Sequence, residues 1–178
     1  LVGSEKIDPV IGGELQKQAI TALIIANLGM LVYITFRFEF KSALAAVLAL
    51  IHDVAVVLSF YAIFNIPVDG TIIAVILTVV GYSINDTIVI FDRIRENLKS
   101  SPRKSFNELA DLSILQSFTR TINTSVTTFL TIFALFLLGG ETLKDFTLAL
   151  IVGIIAGTYS SVFIASPLWG MFRASAKV

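Results

Sequence analysis

One carboxylate and one guanidinium stand inside long apolar stretches of this 178-residue chain. Asp86 lies within the run from Thr71 to Phe91, and Arg120 lies near the start of a later apolar run. A charge at the centre of a bilayer costs at least about 2.5–3.5 kcal/mol, and intramembrane charges often mark proton or ion pathways. Counting about 1.5 Å of helix rise per residue from the outer ends places both side chains in the inner half of a membrane. We therefore expect Asp86 and Arg120 to form a proton-transport pair.

Such a pair could work as a switch. A nearby guanidinium stabilises the charged carboxylate, whereas hydrocarbon favours the protonated form. Movement of Arg120 away from Asp86 would therefore load a proton, and its return would release the proton. A static ion pair that locks two helices is the alternative, because buried pairs also confer structural specificity.

Further hydroxyl and amide side chains lie near the pair in sequence. They are the candidates for a polar lining of a proton path: Tyr82, Ser83, Asn85, Thr87, Asn123, Thr124 and Thr127. Helical spacing places Tyr82 and Ser83 on the face of Asp86, with Asn85 and Thr87 flanking it. Side chains of this kind can hydrogen-bond across helices or hold waters.

A histidine and a second aspartate lie side by side in another apolar run. His52 and Asp53 could relay protons, or they could be hydrogen-bonded packing groups. Neighbouring residues on a helix point about 100° apart, so the two side chains need not touch. With one histidine and no cysteine in the chain, we expect no metal site and no cofactor.

The composition indicates a membrane protein. Hydrophobic residues make up 56% of the chain, more than is usual for a soluble domain. The 13 basic and 13 acidic residues cancel, so no overall field favours a nucleic-acid partner. Membrane lipids are the expected surroundings.

Five apolar runs predict an all-α bundle of five transmembrane helices, at about 19–36, 43–64, 71–91, 118–138 and 146–172. Most Lys and Arg residues outside the runs fall in loops 36–41 and 92–117 and in the tail 174–178. The positive-inside rule then predicts an outside N-terminus, with residues 1–17 extracytoplasmic, and an inside C-terminus. Within the cytoplasmic loop 92–117, apolar residues spaced by three over 103–117 predict a short amphipathic helix. The transmembrane domain is thus expected over 18–173.

The segment GYSINDTIVIFDRIREN at 81–97 resembles a signature of the SecF branch of the SecD/SecF family, which is similar to the RND superfamily. ALIHD at 49–53 and RTINTS at 120–125 fit the same family. The resemblance implies a proton-coupled export subunit of the bacterial inner membrane rather than an enzyme, with Asp86 and Arg120 as its proton-transport residues. It also implies partners: SecD, separate or fused, and SecYEG with SecA and preproteins, with YajC and YidC as further candidates. The coupling ion would be a proton or sodium.

Members of this branch have six spans, with a periplasmic domain between the first and the second. The five predicted spans correspond to the last five, so we expect a C-terminal piece of SecF or of a fused SecDF, following a periplasmic domain. Two alternatives stay open. One is an RND-type exporter of small molecules or lipids, and the other is a structural subunit in which Asp86 and Arg120 form a static clamp.

Overall fold

The computed structural model describes residues 9–37, 39–101 and 103–174, and these ranges contain helices and no strand. The helices are α1 Pro9–Arg37, α2 Phe40–Ile63, α3 Thr71–Ser100, α4 Phe106–Leu138, α5 Lys144–Ser160 and α6 Ser166–Ala174. A 3₁₀ turn, Glu141–Leu143, precedes α5, and a π-helical turn, Ser161–Ala165, joins α5 to α6. The predicted all-α fold is confirmed.

Four segments are long and apolar enough to cross a membrane: Phe40–Ile63, Thr71–Ser100, Phe106–Leu138 and Glu141–Ala174. The apolar part of α1 is shorter, at Ile20–Tyr33. Four of the five predicted spans thus have full-length counterparts, and the first corresponds to this shorter stretch. Residues 1–8 and 175–178, where parts of the predicted outer segment and inner tail fall, lie outside the described residues.

The predicted amphipathic helix is not a separate element. Residues 106–117 form the first turns of α4, which continues without a break to Leu138. A capping box begins this helix: the Ser105 hydroxyl accepts from the Glu108 N–H at 3.3 Å, and the Glu108 carboxylate accepts from the Ser105 N–H at 3.2 Å. With 33 residues, α4 is about 50 Å long, so it extends well beyond a hydrocarbon core of about 30 Å.

Helix α5 lies at the centre of the bundle and packs against α2, α3 and α4. Small residues permit this closeness. Ala149 is fully buried, and a Cβ added at Gly157 would lie 2.9 Å from the Ser83 Cβ. A Cβ added at Gly153 would overlap the methyl groups of Val79. The small residues of α5 therefore serve close helix packing, as small residues do in membrane bundles.

We expect Gly153→Ala to lower the free energy of unfolding by about 1–3 kcal/mol, because the added methyl group would overpack the contact with the stiff Val79 side chain. Gly81→Ala is the matched control, since nothing lies within 4 Å of its added Cβ. The control should be neutral or stabilising, because alanine is the better helix former. Thermal unfolding of the detergent-solubilised protein measures both changes. Equal stability of the two variants would contradict the packing argument.

Candidate functional site

Asp86 is buried in the bundle on the side of α3 that faces α4. Its residue exposure is 2%, and its Oδ2 atom has no hydrogen-bond partner among the described residues. Ser125 on α4 lies beside the carboxyl group, and Arg120 acts on it electrostatically. A carboxylate with one unsatisfied oxygen and a cation nearby is chemically suited to binding and releasing a proton.

Arg120 itself is exposed on α4. In the part of the chain that the structure describes, neither a hydrogen bond nor an ion pair within 4.0 Å joins it to Asp86. The two groups were expected at a similar depth, and Arg120 does act on Asp86, but the ion pair of the static alternative is not formed in this conformation. The guanidinium is therefore not locked against the carboxylate.

The polar stripe of α4 faces outward. Asn123 and Thr127 are exposed, and Thr124 is half-buried. Their hydroxyls donate to carbonyls of their own helix: Thr124 to Arg120 O and Thr127 to Asn123 O, both at 2.9 Å. Asn85, on α3, is also exposed. Within the described residues, the Thr124 and Thr127 hydroxyls therefore bond to their own helix, while Asn85, Asn123 and Thr127 lie on the surface of the bundle.

Beneath this stripe, a hydroxyl network joins three helices. The Tyr82 hydroxyl on α3 donates to the Ser125 Oγ at 3.0 Å, and Ser125 lies 2.8 Å from the Thr158 Oγ1 on α5. Ser125 is also the hydroxyl beside Asp86. Polar side chains of α3, α4 and α5 thus surround the candidate proton-binding carboxylate.

Asp53 forms a second centre, on the opposite side of α3. It is fully buried on α2, and its Oδ2 accepts from the Ser83 Oγ at 2.6 Å and from the Ser160 Oγ at 2.7 Å. The His52 Nδ1 lies 3.1 Å from its other carboxylate oxygen, so the two neighbours do touch. The His52 side chain is 38% exposed. One carboxylate therefore gathers polar groups from α2, α3 and α5.

The face assignment made from spacing was wrong in part. Tyr82 and Asp86 face α4, whereas Ser83 faces Asp53. Thr87, which was expected only to flank the site, shares the face of Ser83 and lies 2.9 Å from the Ser161 Oγ. On an α-helix, residues 82 and 86 point only about 40° apart, whereas residue 83 points about 100° away from residue 82. Tyr82 and Asp86 therefore face one neighbouring helix, and Ser83 faces another.

Three further polar residues belong to these centres and were not identified as site residues from the sequence. They are Thr158, Ser160 and Ser161. Their signal was the polar run TYSS at 158–161, directly after Gly157, in a mostly apolar span. No group of three His, Cys, Asp or Glu side chains that could hold a metal occurs within ranges 9–37, 39–101 and 103–174.

Comparisons with known proteins agree with this architecture. The model of the family "Protein export membrane protein SecD/SecF, C-terminal" matches residues 2–175. A protein translocase subunit SecF of Sebaldella termitidis is 48% identical over 178 residues, which cover 99% of this chain and 58% of the relative. Protein translocase subunit SecDF of Bacillus subtilis is 43% identical over 166 residues, or 92% of this chain and 22% of the relative.

Two solved structures resemble the fold. SecDF in a super-membrane-facing form aligns with a TM-score of 0.87 and 44% identity over 92% of this chain and 22% of that chain. SecDF from Thermus, described as a translocon-associated membrane protein, aligns with a TM-score of 0.86 and 44% identity over 96% of this chain and 23% of that chain. The chain thus spans a little over half of the SecF relative and about a fifth of the SecDF chains. With the family model matched almost end to end, the chain belongs to the SecD/SecF C-terminal family of protein export membrane proteins.

Proposed function

We propose that this chain is the membrane-spanning part of a SecF-like subunit of the bacterial Sec export machinery, located in the inner membrane. Family membership and the translocase names of its relatives support this role. Because the chain spans 58% of the SecF relative, we propose the export activity for the full-length subunit and not for this stretch alone. We further propose that the protein uses the proton motive force to drive late preprotein translocation.

The Asp86 carboxylate carries the proposal of proton coupling. It is 2% exposed, it has an oxygen without a partner, and Arg120 acts on it from a neighbouring helix without being paired to it. Approach of Arg120 stabilises the charged carboxylate, and withdrawal favours protonation. Each proton that crosses a potential of 100 mV supplies about 2.3 kcal/mol, so a few protons can shift a bistable membrane domain.

The absence of an Asp86–Arg120 ion pair disfavours the static clamp. A clamp needs its two charges in contact, and here Arg120 is exposed on α4. An exposed guanidinium inside a membrane is costly unless another surface or water covers it. The proposed cover is the membrane domain of SecD, separate or fused, lying against the stripe of Arg120, Asn123 and Thr127. The path would then run between the two subunits, with Asn85 and Thr124 in its lining.

The His52–Asp53 centre has a different place in the proposal. Both oxygens of Asp53 are engaged, and its contact Ser83 lies one turn from Asp86 on α3. This arrangement favours a structural role, in which Asp53 holds α3 in place, over a role in which Asp53 carries every transported proton. The proposed topology keeps the N-terminus outside and the C-terminus inside, as the charge bias predicts. SecYEG with SecA and preproteins, and also YajC and YidC, complete the proposed partners, and we propose no bond-making chemistry.

Reconstitution of the full-length protein with its SecD partner in proteoliposomes tests the function. The vesicles also contain SecYEG and SecA, and ATP starts the translocation of a preprotein. An imposed proton gradient should then accelerate the completion of translocation, and a protonophore should abolish this acceleration. Proton influx should accompany it. Acceleration by a sodium gradient alone would reassign the coupling ion. If neither gradient has an effect, proton coupling is wrong and the structural-subunit alternative gains support.

A further inference from the structure

Two consecutive serines, Ser160 and Ser161, join buried groups of two different helices. Ser160 donates to the Asp53 carboxylate on α2 at 2.7 Å. Ser161 lies 2.9 Å from the Thr87 Oγ1 and 3.2 Å from the Ser83 carbonyl oxygen, both on α3. Both serines are fully buried. The junction of α5 with the π-helical turn therefore contacts α2 and α3 through adjacent residues.

The backbone explains why the helix departs from α geometry here. Pro167 has no N–H, so one carbonyl of the preceding turn loses its usual donor. The chain forms a π-helical turn over Ser161–Ala165, and the Ser166 Oγ donates to the Ser161 carbonyl oxygen at 3.3 Å. Turns of this type are rare and frequently lie at functional sites. The turn begins at Ser161, the serine that contacts α3.

The hydroxyl of Ser161 has a defined role in this geometry. A serine hydroxyl has one proton and two lone pairs. It donates either to the Ser83 carbonyl or to the Gly157 carbonyl, the latter at 2.8 Å, and it can accept from Thr87 at the same time. Ser161 therefore contacts α3 at two points one turn apart, on the side opposite α4, and Asp86 lies between these points in sequence.

We propose that Ser161 is a positioning residue for Asp86, because it fixes the rotation and depth of α3 against α5. Ser160 anchors the same junction to α2 through its bond to Asp53. This inference rests on the proposed proton-binding role of Asp86. Among the described residues, the charged and titratable groups that interact with Asp86 are Arg120 on α4 and Tyr82 on its own helix. Asp53 and His52 of α2 lie beyond Ser83. Helix α5 contacts α3 through the uncharged residues Gly153 and Gly157, and the π-helical turn adds the Ser161 hydroxyl.

The test is the pH profile of proton flux through the full-length protein and its partner in proteoliposomes. Ser161→Ala removes the two hydroxyl contacts of this residue with Ser83 and Thr87, so α3 is less firmly held against α5 and can shift toward α4 and Arg120. The pH of half-maximal flux should then fall by about one unit, a tenfold change in proton affinity. Thr87→Val removes the hydroxyl that bonds to Ser161, with little change in side-chain shape. It should shift the pH profile of proton flux in the same direction as Ser161→Ala.

Ser42→Ala is the matched control, because Ser42 is fully buried and, among the described residues, its hydroxyl donates to the Glu39 carbonyl of its own segment at 2.6 Å. Its profile should match the wild type. If Ser161 had only a structural role, Ser161→Ala would lower the unfolding temperature and leave the pH of half-maximal flux unchanged. That result in both Ser161→Ala and Thr87→Val would overturn the inference. If Asp86→Asn retains flux, the proposed function itself fails, so the two failures are distinguishable.

Discussion

Asp86→Asn should abolish proton flux through the full-length protein and its gradient-driven stimulation of export, while leaving the fold intact. Asparagine has nearly the same shape but cannot take up or release a proton. The native carboxylate is 2% exposed with one oxygen unpartnered, so neutralising it removes a buried charge. We expect flux at the level of protein-free vesicles and an unfolding free energy within about 1 kcal/mol of the wild type.

The control for this variant is Asp111→Asn, which neutralises an exposed carboxylate on the first turns of α4. It should retain full flux. Arg120→Gln, alone and combined with Asp86→Asn, separates a switch from a clamp. A clamp predicts that each single variant loses assembly with the partner and that the double variant recovers it. A switch predicts normal assembly and no flux in all three. Normal flux in Asp86→Asn would contradict proton transport through this residue.

The spans and the isolated charge were predictable because both depend on local properties of the sequence. The length of an apolar run is read directly along the chain, and a carboxylate such as Asp86 inside one is conspicuous. The short amphipathic helix predicted over 103–117 is present, but it continues into the fourth span as the single helix α4. A capping box at Ser105 starts the helix, and no Pro or Gly interrupts the sequence from Phe106 to Leu138, so one continuous helix forms.

The arrangement of polar groups around α3 could not be derived in the same way. Helical spacing fixes angles within one helix but leaves open which neighbour lies on each side. Tyr82 and Ser83 are adjacent in sequence, yet they contact α4 and α2 respectively. Ser160 is small and lies in an apolar span, so its sequence pattern is that of a packing residue. Its bond to Asp53, 107 positions away, depends on tertiary packing alone.

The second large effect is expected at Asp53, and it concerns stability. Asp53→Ala deprives the Ser83 and Ser160 hydroxyls of their shared acceptor in the centre of the bundle. Each buried donor left unsatisfied costs about 1–3 kcal/mol, and the missing side chain leaves a cavity. We expect a loss of roughly 3–5 kcal/mol in the free energy of unfolding, measured by chemical and thermal unfolding in detergent.

Asp53→Asn should lose less, because its amide oxygen still accepts a hydrogen bond where the carboxylate did. His52→Gln should lose least, since the His52 side chain is 38% exposed and can exchange its contact for another partner. This order, Ala worst and His52→Gln mildest, follows from how many buried donors each change leaves unpaired. The stability of Asp86→Asn is the comparison within the same protein, because that change removes a buried carboxylate that has few hydrogen-bond partners. Equal stability of Asp53→Ala and Asp86→Asn would contradict the assignment of Asp53 as the residue that holds α2, α3 and α5 together.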